Sequence, residues 1–207
     1  MCDKQKLERA RQQTQQVYQD QATAFDAARS RVLFEKAWLD RLTAGLVPGS
    51  RILDLGCGSG APVAGYLIDR GFALTGLDYA PAMVALARDR FPAHHWMVGD
   101  IRDLNLDTSF DAILSWNGFF HLTMAEQRTA LPRIVQLLEP GGRLLLTIGH
   151  HAGEVTGTVA GETVYHASLD GSEYERILST ARCRLIEIRF QDPDCGGHSI
   201  LLAQKAG

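Results

Sequence analysis

Short apolar runs alternate with longer stretches whose apolar residues recur at helical spacing through most of the chain. We interpret the apolar runs as buried strands, at residues 51–55, 72–77, 96–98, 110–114 and 143–148. The stretches between them fit helices at residues 61–70, 82–90 and 122–138. Strands that alternate with helices are typical of a parallel sheet covered by helices on both faces.

The chain before the first strand has a helical pattern. Residues 4–30 are polar, rich in glutamine and free of glycine and proline, with a thin apolar stripe that includes Tyr18 and Phe25. Residues 31–44 have a wide apolar face, as a helix packed on a sheet requires, and Gly45 ends this pattern. We therefore expect two helices before the sheet. On its pattern alone, the first is a surface helix.

The last part of the chain departs from simple alternation. Residues 150–168 contain two strand-like runs around Ala160 and Gly161, which predict a small hairpin inserted after the fifth strand. A helix follows to about residue 181. The strands at 184–190 and 198–203 are joined by too few residues for a parallel crossover, so they must pair antiparallel. The prediction is a doubly wound α/β fold with a seven-stranded mixed sheet, helices on both faces and an antiparallel last strand.

Length, composition and charge fit one enzyme-sized domain. The chain has 207 residues, of which 45% are hydrophobic, enough for a full core in a single domain spanning residues 1–207. The net charge is −3 and no lysine–arginine cluster is present, which argues against nucleic acid or an anionic membrane as partner. No apolar run approaches the ~18 residues of a membrane-spanning helix.

The start of the chain and its cysteines predict a cytoplasmic protein. Residues 1–5 are polar and lack the apolar segment of a signal peptide. Cys2, Cys57, Cys183 and Cys195 show neither metal-ligand spacing nor a disulfide framework, so we expect free thiols and no metal site. The acidic segment around Cys195 and His198 is interpreted as a polar hairpin turn.

The first strand leads into a loop with three alternating glycines, Gly56, Gly58 and Gly60. Pro62 occupies the position expected for the first helical residue, where its missing N–H costs nothing. Glycines at this spacing let a ligand approach the backbone closely at the N-terminus of a helix. The pattern predicts a nucleotide-like cofactor beside the first strand.

Acidic residues narrow the choice of cofactor. Asp54 lies inside the end of the first strand, where it would repel a pyrophosphate. Asp78 ends the second strand, where an acid binds a ribose diol. Gly99, Asp100 and Ile101 end the third strand-like run.

Residues 51–149 resemble the class I S-adenosylmethionine-dependent methyltransferases in this glycine loop, these acids and the Pro140-Gly141-Gly142 turn. The resemblance implies S-adenosyl-L-methionine as cofactor and S-adenosyl-L-homocysteine as product. Asp54 would hold the glycine loop and the methionine end, Asp78 the ribose, and Asp100 with Ile101 would flank adenine. The resemblance also makes residues 1–45 a candidate lid, with a plain surface helix as the alternative.

The expected contacts divide into two sets. The cofactor set is Tyr18, Asp54, Gly56, Cys57, Gly58, Gly60, Pro62, Asp78, Tyr79, Met83, Gly99, Asp100, Ile101, Ser115, Trp116 and His121. The acceptor set is Tyr18, Trp116, Asn117, Phe119, Phe120, His150 and Tyr165, with Phe25 as a further lid aromatic. Core packing is the alternative for Met83 and for one or two of the aromatic residues. An aromatic pocket with an amide and histidines suits a small, partly apolar acceptor.

Methyl transfer from a sulfonium is an in-line displacement that depends chiefly on orientation, and it requires neither a covalent nucleophile nor a metal. A base is needed if the acceptor must lose a proton. His121, after the fourth strand, and His150, after the fifth, are the catalytic candidates. The alternatives are a helix-capping role for His121 and a solvated loop position for His150.

Two other functions remain open at this point. A protein of this fold can bind S-adenosylmethionine or S-adenosylhomocysteine without turnover. A nicotinamide-dependent reductase is disfavoured because no Tyr-x-x-x-Lys pair occurs in the chain. The sequence names neither the acceptor, nor the methylated atom, nor the oligomeric state.

Overall fold

The computed structural model describes residues 3–207, so Met1 and Cys2, with the predictions that concern them, lie outside the described residues. The helices are α1 Asp3–Asp20, α2 Ala22–Ala28, α3 Lys36–Leu42, α4 Val63–Asp69, α5 Pro81–Arg90, α6 Met124–Gln136 and α7 Gly171–Thr180. The strands are β1 Arg51–Leu55, β2 Ala73–Asp78, β3 His95–Val98, β4 Phe110–Ser115, β5 Leu138–Ile148, β6 Gly153–Val159, β7 Glu162–Ser168, β8 Cys183–Asp192 and β9 His198–Lys205.

Seven strands form one sheet in the order β3-β2-β1-β4-β5-β9-β8. The first five of these pair in parallel, whereas β9 runs antiparallel to both β5 and β8. Only a short 3₁₀ turn, Pro193–Cys195, joins β8 to β9, and so short a link permits no parallel crossover. The predicted seven-stranded mixed sheet is confirmed.

The hairpin predicted after the fifth strand is also present. β6 and β7 pair antiparallel from Gly153 opposite Ser168 to Val159 opposite Glu162 and form a separate two-stranded sheet. The hairpin follows β5 at the carboxyl end of the parallel strands, where open α/β sheets bind their ligands. α1 packs against β7, so the hairpin supports the first helix of the chain.

Alternate side chains of β1 face two separate hydrophobic cores. Leu53 and Leu55 pack with α6 and α7 on one face, and Ile52 packs with α3, α4 and α5 on the other. Every β1 residue after Arg51 is buried, as in a central parallel strand covered on both sides. This rigid centre fixes the strand end from which the glycine loop departs.

The helices before the sheet differ from their prediction. The predicted helix at residues 4–30 is broken at Gln21, which separates α1 from α2. The predicted helix at residues 31–44 is limited to α3. Arg29 is already extended, and the Ser30 hydroxyl accepts a hydrogen bond from the Val32 N–H. A serine side chain that bonds to nearby backbone competes with helix formation, which accounts for the shorter helix.

Two turn predictions also need correction. Pro62 is the residue before the first turn of α4 rather than part of it. β5 begins at Leu138, and the predicted turn around Gly141 lies within the strand, where the pairing with β4 shifts register. Among the described residues 3–207, no helix combines the length and the apolar character needed to cross a membrane.

A buried hydrogen-bond network joins the hairpin to two helices. The Gln127 side chain, on α6, donates to the backbone oxygens of Leu122 at 2.9 Å and Ala167 at 2.8 Å. Its carbonyl oxygen accepts from the Tyr174 hydroxyl, on α7, at 2.5 Å. The Gln127 amide and the Tyr174 hydroxyl are both removed from water, so each needs its hydrogen-bond partners. The network holds the segment after β4 against β7.

Tyr174→Phe should therefore destabilise the fold. The substitution leaves the buried Gln127 carbonyl without its donor, at a cost of about 1–3 kcal/mol in the free energy of unfolding. Denaturant unfolding of the two proteins measures this loss. Tyr66→Phe is the matched control, because the Tyr66 hydroxyl bonds to the half-exposed Asp40, which water can solvate. Equal losses for the two variants would contradict the network's role.

Candidate functional site

A cavity of about 270 Å³ opens at the carboxyl ends of the central strands. Its floor is the glycine loop after β1, the end of β2 and the segment after β4. α1 and α2 roof it, with Thr14, Tyr18, Phe25 and Arg29 among the residues that line it. The cavity is thus where a doubly wound sheet places its ligand, and α1 and α2 cover it.

The glycine loop leaves no room for a side chain at Gly56. Gly56 has a φ of +75°, and a Cβ atom there would lie 3.0 Å from the Gly118 Cα atom. The backbone N–H groups of Gly56 and Cys57 both donate to the Leu77 oxygen at the end of β2. The loop is therefore pressed against the carboxyl ends of two strands.

Asp78 ties the glycine loop to the start of α5. Its Oδ2 atom accepts from the Gly58 N–H and its Oδ1 atom from the Ala80 N–H, both at 2.9 Å. Burial raises the pKa of this carboxyl, and the backbone hydrogen bonds partly oppose that rise. Each oxygen keeps a further lone pair, so the carboxylate can still accept hydrogen bonds from a ligand.

Asp54 is the second acid of the cleft. Its side chain is buried, with 3% of the residue exposed. Burial, and then the charge of Asp78, raise the pKa of Asp54 to about 7. The same burial and the two nearby acids raise the pKa of the Cys57 thiol. A cationic ligand group would relieve this crowding of negative charge.

His121 is held between the roof and the hairpin. Its Nδ1 atom lies 2.7 Å from the Tyr165 backbone oxygen, which can only accept, so Nδ1 carries the proton. The bare Nε2 atom then accepts from the Tyr18 hydroxyl at 3.0 Å. Burial, and then the neighbouring His166, lower the pKa of His121 to about 3. The ring is therefore neutral at physiological pH.

Three arginines missed in the sequence reach the cavity wall. Arg102 surrounds the Asp100 carboxylate with hydrogen bonds at 2.9 and 2.5 Å and also contacts Glu126 at 3.3 Å. Burial opposes ionisation of Asp100, but the hydrogen bonds from Arg102 outweigh it and lower the pKa of that carboxyl. Arg29 pairs with the fully buried Glu35 at 2.7 Å. The third, Arg11, pairs within α1.

The structure brings most of the predicted residues together. The predicted residues that line the cavity are Tyr18, Phe25, Asp54, Gly56, Cys57, Gly58, Gly60, Asp78, Tyr79, Met83, Gly99, Asp100, Ile101, Trp116, Asn117 and His121. They come from separate strand ends and from the roof, and share one cavity because those strand ends meet at one edge of the sheet.

Six predicted residues lie elsewhere: Pro62, Ser115, Phe119, Phe120, His150 and Tyr165. Ser115 is buried and donates to the Leu55 oxygen at 2.6 Å, and Phe119 is fully buried in the core. The Tyr165 ring points away, its hydroxyl donating to Glu154, and only its backbone oxygen serves the site through His121.

The remaining three, Pro62, Phe120 and His150, were predicted to contact the cofactor or the acceptor, but they do not line the cavity. Pro62 caps α4 outside the cavity, and Phe120 packs edge-on against His121 and His166. His150 is exposed and rests beside the His151 ring. Of the two candidate bases, His121 alone borders the cavity.

Some residues that line the cavity were not predicted from the sequence. Arg11, Gln12, Thr14 and Gln15 reach the cavity from α1, whose glutamine-rich pattern suggested only a surface helix. Their i, i+3 and i+4 spacing places them on one helical face, a signal that the thin apolar stripe obscured. Among residues 3–207, no group of three His, Cys, Asp or Glu side chains is arranged to hold a metal ion.

The chain is similar in fold to solved structures and similar in sequence to named proteins. The S-adenosylmethionine-bound amino pentose methyltransferase CalS10 from Micromonospora echinaspora superposes with a TM-score of 0.70 at 24% identity, over 90% of this chain and 96% of that one. A family model described as a methyltransferase domain matches residues 52–142, from β1 into β5. Residues 52–142 belong to a family of methyltransferase domains, and the chain has the fold of the class I S-adenosylmethionine-dependent methyltransferases. The matched segment contains the glycine loop, Asp78 and the loop after β4.

The curated relatives share part of their length with this chain. A malonyl-[acyl-carrier protein] O-methyltransferase of Serratia marcescens is 34% identical over 101 residues, which is 48% of this chain and 38% of the relative. A trans-aconitate 2-methyltransferase of Methylobacterium nodulans is 31% identical over 160 residues, or 67% of this chain and 59% of the relative. The chain spans about two fifths of the length of the first relatives it matches.

Replacing Asp54 with asparagine should stabilise the ligand-free protein at pH 8. The variant removes a buried charge that faces a second acid, and we expect the free energy of unfolding to rise by about 1–3 kcal/mol. The gain should shrink toward pH 5. The folded-state pKa of about 7 lies above the ordinary 3.8, so the folded wild-type carboxyl is protonated below pH 7.

Denaturant unfolding at pH 8 and pH 5 measures both values. Asp69→Asn, at an exposed position on α4, is the matched control and should change stability little at either pH. A loss of stability in Asp54→Asn at pH 8 would contradict the proposed charge crowding.

Proposed function

We propose that this protein transfers a methyl group from S-adenosyl-L-methionine to a small-molecule acceptor. The observation that carries the proposal is the pair of buried acids, Asp54 and Asp78, beside a glycine loop in a roofed cavity. Such a pair favours a ligand that combines a ribose diol with a positively charged amino-acid end. Pyrophosphate would bring negative charge against both acids, which disfavours a dinucleotide.

The cavity walls support one placement of the cofactor. Asp78 would accept from the ribose hydroxyls, and Gly99, Asp100 and Ile101 would border the adenine. The glycine loop and Asp54 would hold the methionine end. The part of the cavity that Tyr18, Trp116, Asn117 and His121 line would then receive the acceptor, and it is the proposed acceptor pocket.

The bound cofactor supplies an electrophilic methyl group on a positively charged sulfur. The chain's own residues then align the acceptor and exclude water, and such orientation contributes roughly 7–11 kcal/mol to lowering the barrier. The aromatic rings of Tyr18, Phe25 and Trp116 border the acceptor pocket and suit a small, partly apolar molecule. The named relatives include methyltransferases of malonyl-acyl-carrier protein and trans-aconitate, which supports a carboxylate or hydroxyl oxygen as the first acceptor group to test.

His121 serves orientation better than proton removal. A catalytic base is most effective when its pKa lies near the working pH, whereas burial holds the pKa of His121 near 3. Its Nε2 atom already accepts a hydrogen bond from the Tyr18 hydroxyl, and this bond holds the hydroxyl at the cavity wall. We therefore assign Tyr18 and His121 to acceptor positioning in the proposed reaction.

Turnover tests the proposal directly. The protein is incubated with S-adenosylmethionine and separate acceptor classes, namely trans-aconitate, simple phenols and amino sugars, and release of S-adenosylhomocysteine is measured by mass spectrometry. We expect product with at least one class. Tight binding of S-adenosylmethionine with no product from any class would instead favour a binding protein without turnover.

The acceptor found in that assay also tests the role of His121. Because the ring is neutral above about pH 4, kcat should show no inflection near pH 6.5 attributable to this histidine. His121→Asn should lower kcat by less than about tenfold, whereas loss of a true general base costs about 10²–10⁴-fold. A loss in that larger range, together with an inflection that vanishes in the variant, would establish His121 as the base.

A further inference from the structure

Arg102 occupies a carboxylate at the proposed adenine end of the cavity. Its Nε atom donates to both Asp100 oxygens at 2.9 Å, and its Nη2 atom donates to Oδ2 at 2.5 Å. The Arg102 backbone N–H also donates to Oδ1 at 2.8 Å. These bonds fill the roughly four lone-pair sites of a carboxylate. Asp100 therefore offers no free acceptor to a ligand while the guanidinium stays in this position.

An adenine base at this end of the cavity brings a competing donor. Its exocyclic 6-amino group donates hydrogen bonds and needs an acceptor from the protein. Asp100 lines the cavity beside Gly99 and Ile101, and its Oδ2 atom is held by the Arg102 side chain alone. The amino group and the guanidinium thus compete for the same oxygen.

A second acid lies within reach of the displaced arginine. The Arg102 Nη1 atom is already 3.3 Å from the Oε1 atom of Glu126, which also lines the cavity. The other Glu126 oxygen accepts from the Thr123 N–H at 2.7 Å and caps α6, so Oε1 is the oxygen available to Arg102. Arg133 donates to the Arg102 backbone oxygen at 3.1 Å, which fixes the backbone while the side chain turns.

The exposure of the ion pair makes this exchange inexpensive. The side chains of Arg102 and Asp100 are 46% and 35% exposed. Exposed ion pairs contribute little to stability, because water solvates both charges and the long side chain loses freedom when it is held. A ligand hydrogen bond can therefore replace the guanidinium on Asp100, provided that the guanidinium keeps an acidic partner.

We propose that Arg102 is a specificity-determining residue for the base of the cofactor. In the ligand-free protein its side chain covers Asp100. When the ligand binds, the 6-amino group takes over Oδ2 and the guanidinium moves to Glu126. A purine without that amino group has no donor with which to displace the arginine. This inference rests on the proposed function, because the ligand is S-adenosylmethionine or its product.

Calorimetric titration with S-adenosylhomocysteine tests the competition. This ligand has no net charge, so the lost arginine charge has little long-range effect on its binding. Arg102→Met should bind it about two- to fivefold more tightly than the wild type, because the ligand no longer displaces an exposed ion pair. The purine analogue that lacks the 6-amino group should gain no affinity. Equal or weaker binding of S-adenosylhomocysteine by Arg102→Met, or an equal gain for the analogue, would overturn the proposal.

Arg128→Met is the matched control for this titration. Arg128 pairs with Glu173 at 2.7 Å and is 43% exposed, close to the exposure of Arg102, but it does not line the cavity. Its loss should leave the affinity for S-adenosylhomocysteine unchanged. A gain equal to that of Arg102→Met would show a general effect of surface charge and would contradict a role specific to Arg102.

A double-mutant cycle tests the transfer to Glu126. Glu126→Gln preserves the cap of α6, because glutamine also serves at this position of a capping box, but it removes the charge that receives Arg102. It should weaken binding of S-adenosylhomocysteine in the wild-type background and have no effect in the Arg102→Met background. Equal weakening in both backgrounds would show that Glu126 acts independently of Arg102 and would overturn the transfer.

Failure of the proposed function has a separate signature. If S-adenosylhomocysteine does not bind to the wild-type protein, the proposed function is wrong, and adenosine then tests the inference because it has the same base and ribose. Tighter binding of adenosine by Arg102→Met than by the wild type would still support the competition. Equal binding, or no binding to either protein, would overturn it.

Discussion

The carboxylate of Asp78 holds the site together. Its two oxygens accept from the Gly58 and Ala80 N–H groups, which joins the glycine loop to the start of α5 across the end of β2. The Gly56 and Cys57 N–H groups bond to the Leu77 oxygen, and the bond to Asp78 fixes the next glycine of a loop whose glycines would otherwise allow many backbone conformations. One buried acid therefore shapes the binding loop and faces the cavity, so the same group that organises the fold locally can bind ligand.

This arrangement has an electrostatic consequence. Burial, and then the nearby charge of Asp78, raise the pKa of Asp54 to about 7, so a positive charge in the ligand would stabilise the cleft. Above this cleft, the Tyr18 hydroxyl bonds to an uncharged His121, and Arg11 and Arg29 also reach the cavity wall. A floor that attracts a cation suits a site that must bind a sulfonium more firmly than its uncharged thioether product.

The fold and the cleft floor were largely readable from the sequence, because their determinants are local. Each apolar strand, the loop with three spaced glycines and each acid at a strand end can be recognised within a short stretch of the sequence. The proposed acceptor side of the cavity was harder to predict, because it depends on contacts between segments that are distant in the sequence. Tyr165 was expected to present its ring, but the hairpin turns the ring toward Glu154 and offers the backbone oxygen to His121. The pairing of Arg29 with Glu35 depends on a non-helical segment that the apolar pattern had suggested was helical.

The most direct measurement is a calorimetric titration of the purified protein with S-adenosylhomocysteine, S-adenosylmethionine, NADH and NADPH under identical conditions. The acid pair at the glycine loop predicts saturable binding of the two adenosyl amino acids and none of the nicotinamide dinucleotides. At about one hundred times its dissociation constant, a bound ligand should also stabilise the fold by about 2.7 kcal/mol. Binding of a nicotinamide dinucleotide alone would contradict the account, because a pyrophosphate would then be accommodated beside Asp54 and Asp78.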